Sequence, residues 1–218
     1  MTPEAAPVRV WDLPTRLFHW PLAILVVIAW VTAGEQMNIH RYSGYAIIGL
    51  LVFRLYWGVF GGSTARFSSF VRGPGAVLAY VRNWRTAPLV AGHNPLGALS
   101  VLLLIGLLVV QVGLGLFAID VNGIESGPFA QHITYEAGRT VSELHELNFR
   151  FLQAAIALHL LAIVVYLFGK RRNLVTPMIT GRDAVAGLQG ELQPAPLWRL
   201  AVGVVLSVLV VALVAQAG

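Results

Sequence analysis

The sequence predicts an all-α integral membrane protein with five membrane-spanning helices. Three observations predict it. Of 218 residues, 57% are hydrophobic and only 11% are charged, against roughly 25% charged residues in soluble domains. Mean hydropathy is +0.73. Five segments each supply the ~20 mostly apolar residues that a helix needs to cross a hydrocarbon core. No segment alternates as a barrel strand does, and a chain in lipid must otherwise satisfy its backbone groups within helices.

The first span is expected from about Pro14 to Ala33, with Pro14 in the opening turn, where its missing N–H costs nothing. The second runs from about His40 to Phe60, and the third follows His93-Asn94-Pro95 to about Phe117. The fourth runs from about Ser142 to Phe168 and the fifth from about Leu197 to Ala215. The leading stretch MTPEAAPVRVWDLPTR contains Glu4 and Asp12 and precedes a run long enough to span, so it reads as an uncleaved N-terminus. Gln189 to Pro196 reads as a short linker. The stretch SSFVRGPGAVLAYVRNW mixes aromatics and arginines as a segment lying on a membrane surface does. Trp11, Trp20, Trp57 and Trp84 fall near the ends of spans and read as interfacial belt residues.

Direction follows from charge. Eleven basic residues share one side: Arg9, Arg16, Arg66, Arg72, Arg82, Arg85, Lys170, Arg171, Arg172, Arg182 and Arg199. Only Arg41 and Arg139 fall on the other, which is acidic through Glu35, Asp120, Glu125, Glu136 and Glu143. The positive-inside rule then predicts a cytoplasmic N-terminus and a periplasmic C-terminus. The net charge of +5 and pI near 10.1 are accounted for by this bias, and no nucleic-acid partner is expected. With no cysteine in the chain, disulfides, iron–sulfur clusters, thiolate haem ligation and covalent haem attachment are excluded.

The fourth span carries His145 and His159, fourteen residues apart. That spacing falls about 40° short of four full turns, so the two share a face about 21 Å apart along the axis. His19 lies near the inner end of the first span and His40 at the outer end of the second. His19 and His159 therefore share an inner level, and His40 and His145 an outer one. Neutral imidazole is a common metal ligand, and helix bundles build cofactor sites from facing side chains. Two histidines per level suit the two axial positions of a non-covalent b haem, and two such haems would form an electron path across the bilayer. The plain alternative is a hydrogen-bonded packing histidine, although ionisable groups inside a membrane usually serve function. Zinc would want three or four donors at one level. His93 and His132 read as interfacial or loop residues without ligation.

Arg54 lies fourteen residues after His40, on the same face and about 21 Å deeper, at the inner level. A haem propionate would answer its charge, with Arg16 assisting; the alternative is that Arg54 snorkels to the inner headgroups. Gly44 and Ala155, each one turn from a histidine, would let a flat porphyrin approach, or serve helix contacts. Arg150 is off the ligand face and is expected to pair with Glu146 or a neighbouring helix.

Taken together, VWDLPTRLFHW (10–20), HRYSGYAIIGLLVFRLYWGVFG (40–61), HNPLGALSVLLLIGLLVVQVGLGLF (93–117), LHELNFRFLQAAIALHLLAIV (144–164) and NLVTPMITG (173–181) resemble the prokaryotic cytochrome b561 and nickel–iron-hydrogenase b-type cytochrome family. The resemblance implies a four-helix haem-binding bundle, and the fifth span lies beyond it as one additional C-terminal transmembrane helix. It places the di-haem transmembrane domain in residues 1–182 and the linker and fifth helix in 183–218. It implies ligands at His19, His40, His145 and His159, the fourth helix giving two. It also implies electron transfer in the bacterial inner membrane between a periplasmic cytochrome c, dehydrogenase or hydrogenase subunit and the quinone pool of a respiratory chain.

Two other functions compete with this one. One is a stand-alone superoxide:quinone oxidoreductase, which the acidic outer side disfavours because an anion is steered by positive potential. The other is a non-redox transporter or assembly factor, which would hold no haem. The sequence has no G-x-S-x-G, P-loop or H-E-x-x-H to suggest hydrolytic chemistry.

Overall fold

The computed structural model describes residues 6–185 and 187–217; Glu4 with the rest of residues 1–5, Ala186 and Gly218 fall outside this description. Among the described residues five helices are long and apolar enough to cross a membrane, which bears out the predicted count. They are α1 (Leu13–Thr32), α2 (Met37–Phe60), α5 (Pro95–Gly115), α6 (Tyr135–Gly169) and α8 (Leu197–Gln216). Short helices α3 (Phe67–Phe70) and α4 (Pro74–Arg82) fill the connection from α2 to α5, and α7 (Val175–Thr180) follows α6.

Local chemistry sets the ends. The carboxylate of Asp12 caps α1, with Oδ1 accepting the Thr15 N–H at 2.9 Å, and Pro14 fills the first turn. Its Oδ2 accepts from Trp57 Nε1 at 2.9 Å, which ties the start of α1 to the end of α2. Asn94 caps α5 in the same way, accepting the Gly97 N–H at 2.9 Å ahead of Pro95. Thr134 starts α6, with Oγ1 3.2 Å from the Ala137 nitrogen. This start precedes the hydropathy boundary at Ser142, because Glu136, Arg139 and Glu143 interrupt the apolar run without interrupting the helix. At 35 residues, α6 is about 52 Å long, well beyond a ~30 Å hydrocarbon core.

The packing is in pairs. Along their lengths α1 lies on α2 and α5 on α6, while the two pairs touch each other sparingly, chiefly between α2 and α5. A buried apolar layer joins them: Ile47 and Leu51 of α2, Ile105 and Leu108 of α5, and Leu152 of α6. Leu152 stands seven residues from both His145 and His159, so the layer lies midway between the two predicted histidine levels. Lipid tails are as apolar as leucine, so close packing rather than expulsion of water holds this layer.

Helix α8 lies against α2 as extensively as α1 does. A Cβ on Gly203 would stand 2.8 Å from the Tyr56 ring, and one on Gly49 would stand 2.9 Å from Val211. Small residues here let the two backbones approach.

The end of the bundle that carries the chain's N-terminus is closed by segments the hydropathy pattern does not reveal. Strand β1 (Val8–Arg9) pairs antiparallel with β2 (Arg182–Asp183). Gly181, at φ +81°, ends α7 in a conformation that suits glycine, with the Trp11 carbonyl too close for any Cβ. Arg172 and Asp183 form a buried ion pair at 3.1 Å. The expected linker is bonded in as well: the Leu192 N–H donates to the Arg9 carbonyl and the Ser63 N–H to the Gln193 carbonyl. The belt reading fails for two tryptophans. Trp57 is 2% exposed and Trp11 8% exposed, because the Asp12 carboxylate and the closing segments draw both inward.

Candidate cofactor sites

At the end of the bundle opposite the N-terminus, the loop face, α2 and α6 bring the rings of His40 and His145 together. Their ring centres are 6.1 Å apart and the rings nearly perpendicular. His40 Nδ1 lies 2.8 Å from the Ala29 carbonyl of α1, and His145 Nδ1 lies 3.0 Å from the Gln111 carbonyl of α5. A carbonyl only accepts, so both rings carry their proton on Nδ1 and present the Nε2 lone pair. The Gln111 side-chain amide lies 3.0 Å from His145 Nε2 and is itself held by Asn148, whose Nδ2 is 2.6 Å from Gln111 Oε1.

This pair borders a cavity of about 490 Å³ between the two helix pairs. Its walls are largely apolar, with Trp30, Ile48, Leu108, Phe149 and Leu152 among them. Gly44 also lines it, and a Cβ there would meet nothing within 4 Å, so it adds open space one turn from His40. At the mouth stand Arg41, paired with Glu125 at 2.6 Å, and Arg139, donating to the Ile119 carbonyl at 3.0 Å.

These residues fit a b haem. Imidazole nitrogens bind first-row metals at roughly 2 Å, so two rings on one iron would hold their centres roughly 6 Å apart, which is the separation found. The volume lies within the roughly 300–1,000 Å³ of sites for small organic ligands. Nδ1–H to carbonyl is also the arrangement that fixes and strengthens a ligating histidine.

At the N-terminal end, α1 and α6 bring His19 and His159 within electrostatic range of each other. Ser100 Oγ of α5 lies 3.3 Å from His159 Nδ1, and buried His19 Nδ1 makes no hydrogen bond among the described residues. His93 joins this neighbourhood, its ring held between Trp11 at 4.7 Å and Phe70 at 4.6 Å. Burial, reinforced by Arg54, His159 and His19, pushes its imidazole down to about 3, so it is neutral at ordinary pH. Among the described residues no group of three or more His, Cys, Asp or Glu is placed to hold a metal ion.

Arg54 does not snorkel. It is 3% exposed, donates to the Ala65 carbonyl at 3.1 Å and stands 4.8 Å above the Phe67 ring. Arg16 donates to the Ile179 carbonyl at 2.6 Å, and its buried Nε has no partner among the described residues. Arg150 pairs with Glu146 at 2.6 Å on an exposed face, as its position on α6 predicts.

Sequence reasoning passed over Ser100 and Gln111. They are eleven residues apart, about 20° past three full turns, and so share a face of α5. One meets His159 and the other His145. Two polar residues in phase within LSVLLLIGLLVVQV were the available signal.

A helical bundle in the membrane, with histidines from facing helices around a cavity of cofactor size, is the architecture of a membrane cytochrome. The chain belongs to the prokaryotic cytochrome b561 family, whose model matches residues 10–181. Haem b and electron transfer within a membrane come with that membership. The chain is also similar to the probable Ni/Fe-hydrogenase B-type cytochrome subunits of Azotobacter chroococcum mcd 1 and Azotobacter vinelandii. Each is 23% identical over 209 residues, covering 80% of this chain and 87% of the relative. No solved structure gives a significant match.

Proposed function

We propose that this protein carries electrons across the bacterial inner membrane between a periplasmic redox partner and the quinone pool, using two b haems. His40 and His145 would hold one haem and His19 and His159 the other. The observation that carries the reading is the His40–His145 pair, with ring centres 6.1 Å apart beside a 490 Å³ cavity. Haem bound there would supply reversible one-electron chemistry.

The chain's own residues do the rest. Ala29 and Gln111 orient the two rings through their carbonyls. The apolar layer around Leu152 keeps water from the space between the levels. Arg54 and Arg16 set positive charge near His19 and His159, where it would answer haem carboxylates; the buried Nε of Arg16, without a partner among the described residues, supports this. Eleven basic residues toward the N-terminal face, against two toward the loop face, support a cytoplasmic N-terminus and a periplasmic loop face. The names of both Azotobacter relatives favour a hydrogenase catalytic subunit as the partner, which would dock at the loop face.

The test is haem stoichiometry with reduced-minus-oxidised spectra on purified protein expressed with haem available. The expected result is two non-covalent, low-spin b haems per chain, with one lost in His145→Ala and the other in His159→Ala. Full haem content in both variants would overturn the ligand assignment, and a folded protein without haem would overturn electron transfer altogether.

A further inference from the structure

One cavity takes no part in the histidine sites. It holds about 390 Å³ at the N-terminal end of the bundle, between α1, α2 and α8. Helices α1 and α8 both lie along α2 yet barely touch each other, so a seam runs between them. Leu17 of α1, Leu50 and Phe53 of α2, and Leu200 and Val204 of α8 wall the cavity with apolar surface. Leu17 is 58% exposed and Leu197, at the start of α8, 81% exposed, so the seam opens sideways toward the bilayer.

The polar end lies just ahead of α1, at headgroup level, where Arg9 and Asp12 line the cavity. These two charges do not answer each other. Asp12 accepts from the Thr15 N–H and the Trp57 indole, and it lies within electrostatic range of buried Arg54. Arg9 is exposed and makes no ion pair among the described residues. Its main chain is fixed all the same, because its carbonyl accepts the Leu192 N–H of the linker. Arg182 stands directly opposite it in the β1–β2 ladder, and like charges so placed repel. A third guanidinium stands next to Leu200 in the first turn of α8. Arg199 donates to the Phe60 carbonyl at 3.1 Å, and its buried Nε has no partner among the described residues. An unmatched guanidinium at the end of an apolar slot suits a phosphodiester that carries acyl chains. Arginine binds phosphate through strong, charge-assisted hydrogen bonds.

We propose that this seam binds one anionic phospholipid of the adjoining leaflet. An acyl chain fills the cavity between α1 and α8, and the phosphate sits against Arg9, with Arg182 and Arg199 adding to the positive field. The lipid supplies the contact that α1 and α8 do not make directly, and so ties the fifth helix to the bundle. The inference does not depend on the haem assignment.

The experiment is native mass spectrometry of the full-length protein, delipidated in detergent, with phosphatidylglycerol or phosphatidylethanolamine of identical acyl chains added back. One phosphatidylglycerol should be retained in preference to phosphatidylethanolamine. A single arginine at a lipid surface contributes about fivefold to the binding of anionic lipid. Arg9→Gln should therefore weaken phosphatidylglycerol by about that factor and leave phosphatidylethanolamine unchanged. Leu200→Trp, which fills the cavity, should abolish the preference at unchanged helix content by circular dichroism. Arg85→Gln, on the same face but outside the cavity, should bind as the wild type does. Equal retention of the two lipids, a loss in Arg85→Gln as large as in Arg9→Gln, or full preference in a folded Leu200→Trp protein overturns the inference. So does displacement of the lipid by a short-chain quinone, which would make the seam a quinone site.

Discussion

At the scale of single residues, Asp12 joins two elements through one carboxylate. One oxygen caps α1 and the other accepts the Trp57 indole N–H in a buried setting. A lost cap costs about 1 kcal/mol and a hydrogen bond to a charged group about 1.5–3 kcal/mol. Asp12→Ala should therefore destabilise the protein by about 2–4 kcal/mol in detergent, read by thermal unfolding at constant detergent concentration. Asp12→Asn keeps the cap oxygen but loses the acceptor for the Trp57 N–H, and should lose about 1 kcal/mol less than Asp12→Ala. Equal losses in the two variants would assign the effect to the charge, and so to nearby Arg54, instead of to the hydrogen bonds. The histidine positions were legible in the sequence because imidazole is rare in apolar helices and because spacing fixes both face and depth. Their Nδ1 partners were not, since every residue carries a carbonyl and nothing in its side chain marks Ala29 or Gln111 as the acceptor. Arg54 was placed at the right level, but its contacts with Ala65 and Phe67 depend on the turn after α2, which has no periodic pattern.

At the scale of elements, α8 shows how a span can be legible while its partner is not. Apolar length alone revealed Leu197–Gln216. A helix with lipid on most sides carries little pattern to say which neighbour it meets, and the contact with α2 is written only in Gly49 and Gly203. Gly49 is nine residues from His40, half a turn out of phase, so α8 packs on the back of α2, away from the cavity. Gly203→Leu should force α8 off Tyr56 and Phe53 and cost about 1–3 kcal/mol through overpacking, while the ratio of haem absorbance to protein stays at the wild-type value. Haem loss in a folded Gly203→Leu protein would mean that α8 supports the histidine bundle after all. The start of α6 was misjudged for the opposite reason: charge at Glu136, Arg139 and Glu143 ends a hydropathy run but not a helix, whose backbone needs only its own hydrogen bonds outside lipid.

At the scale of the whole molecule, the fold class was legible because a bilayer leaves a chain so few choices. What closes the N-terminal face was not, because a two-residue strand pair joins segments about 170 residues apart, and the Arg172–Asp183 bond spans eleven residues of chain, both without local signals. The proposed direction of insertion rests on charge alone, and this chain allows a direct test because it contains no cysteine. A single introduced thiol is then the only target for a maleimide. Val121, in the loop between α5 and α6, is 69% exposed, and Arg85, between α4 and α5, is exposed as well. Val121→Cys should react with a membrane-impermeant maleimide in cells whose outer membrane alone has been opened, and Arg85→Cys only after the inner membrane is lysed. The reverse pattern would turn the molecule over. It would place the His40–His145 cavity on the cytoplasmic side, move the partner-facing loop with it, and leave eleven basic residues on the side where the positive-inside rule expects few.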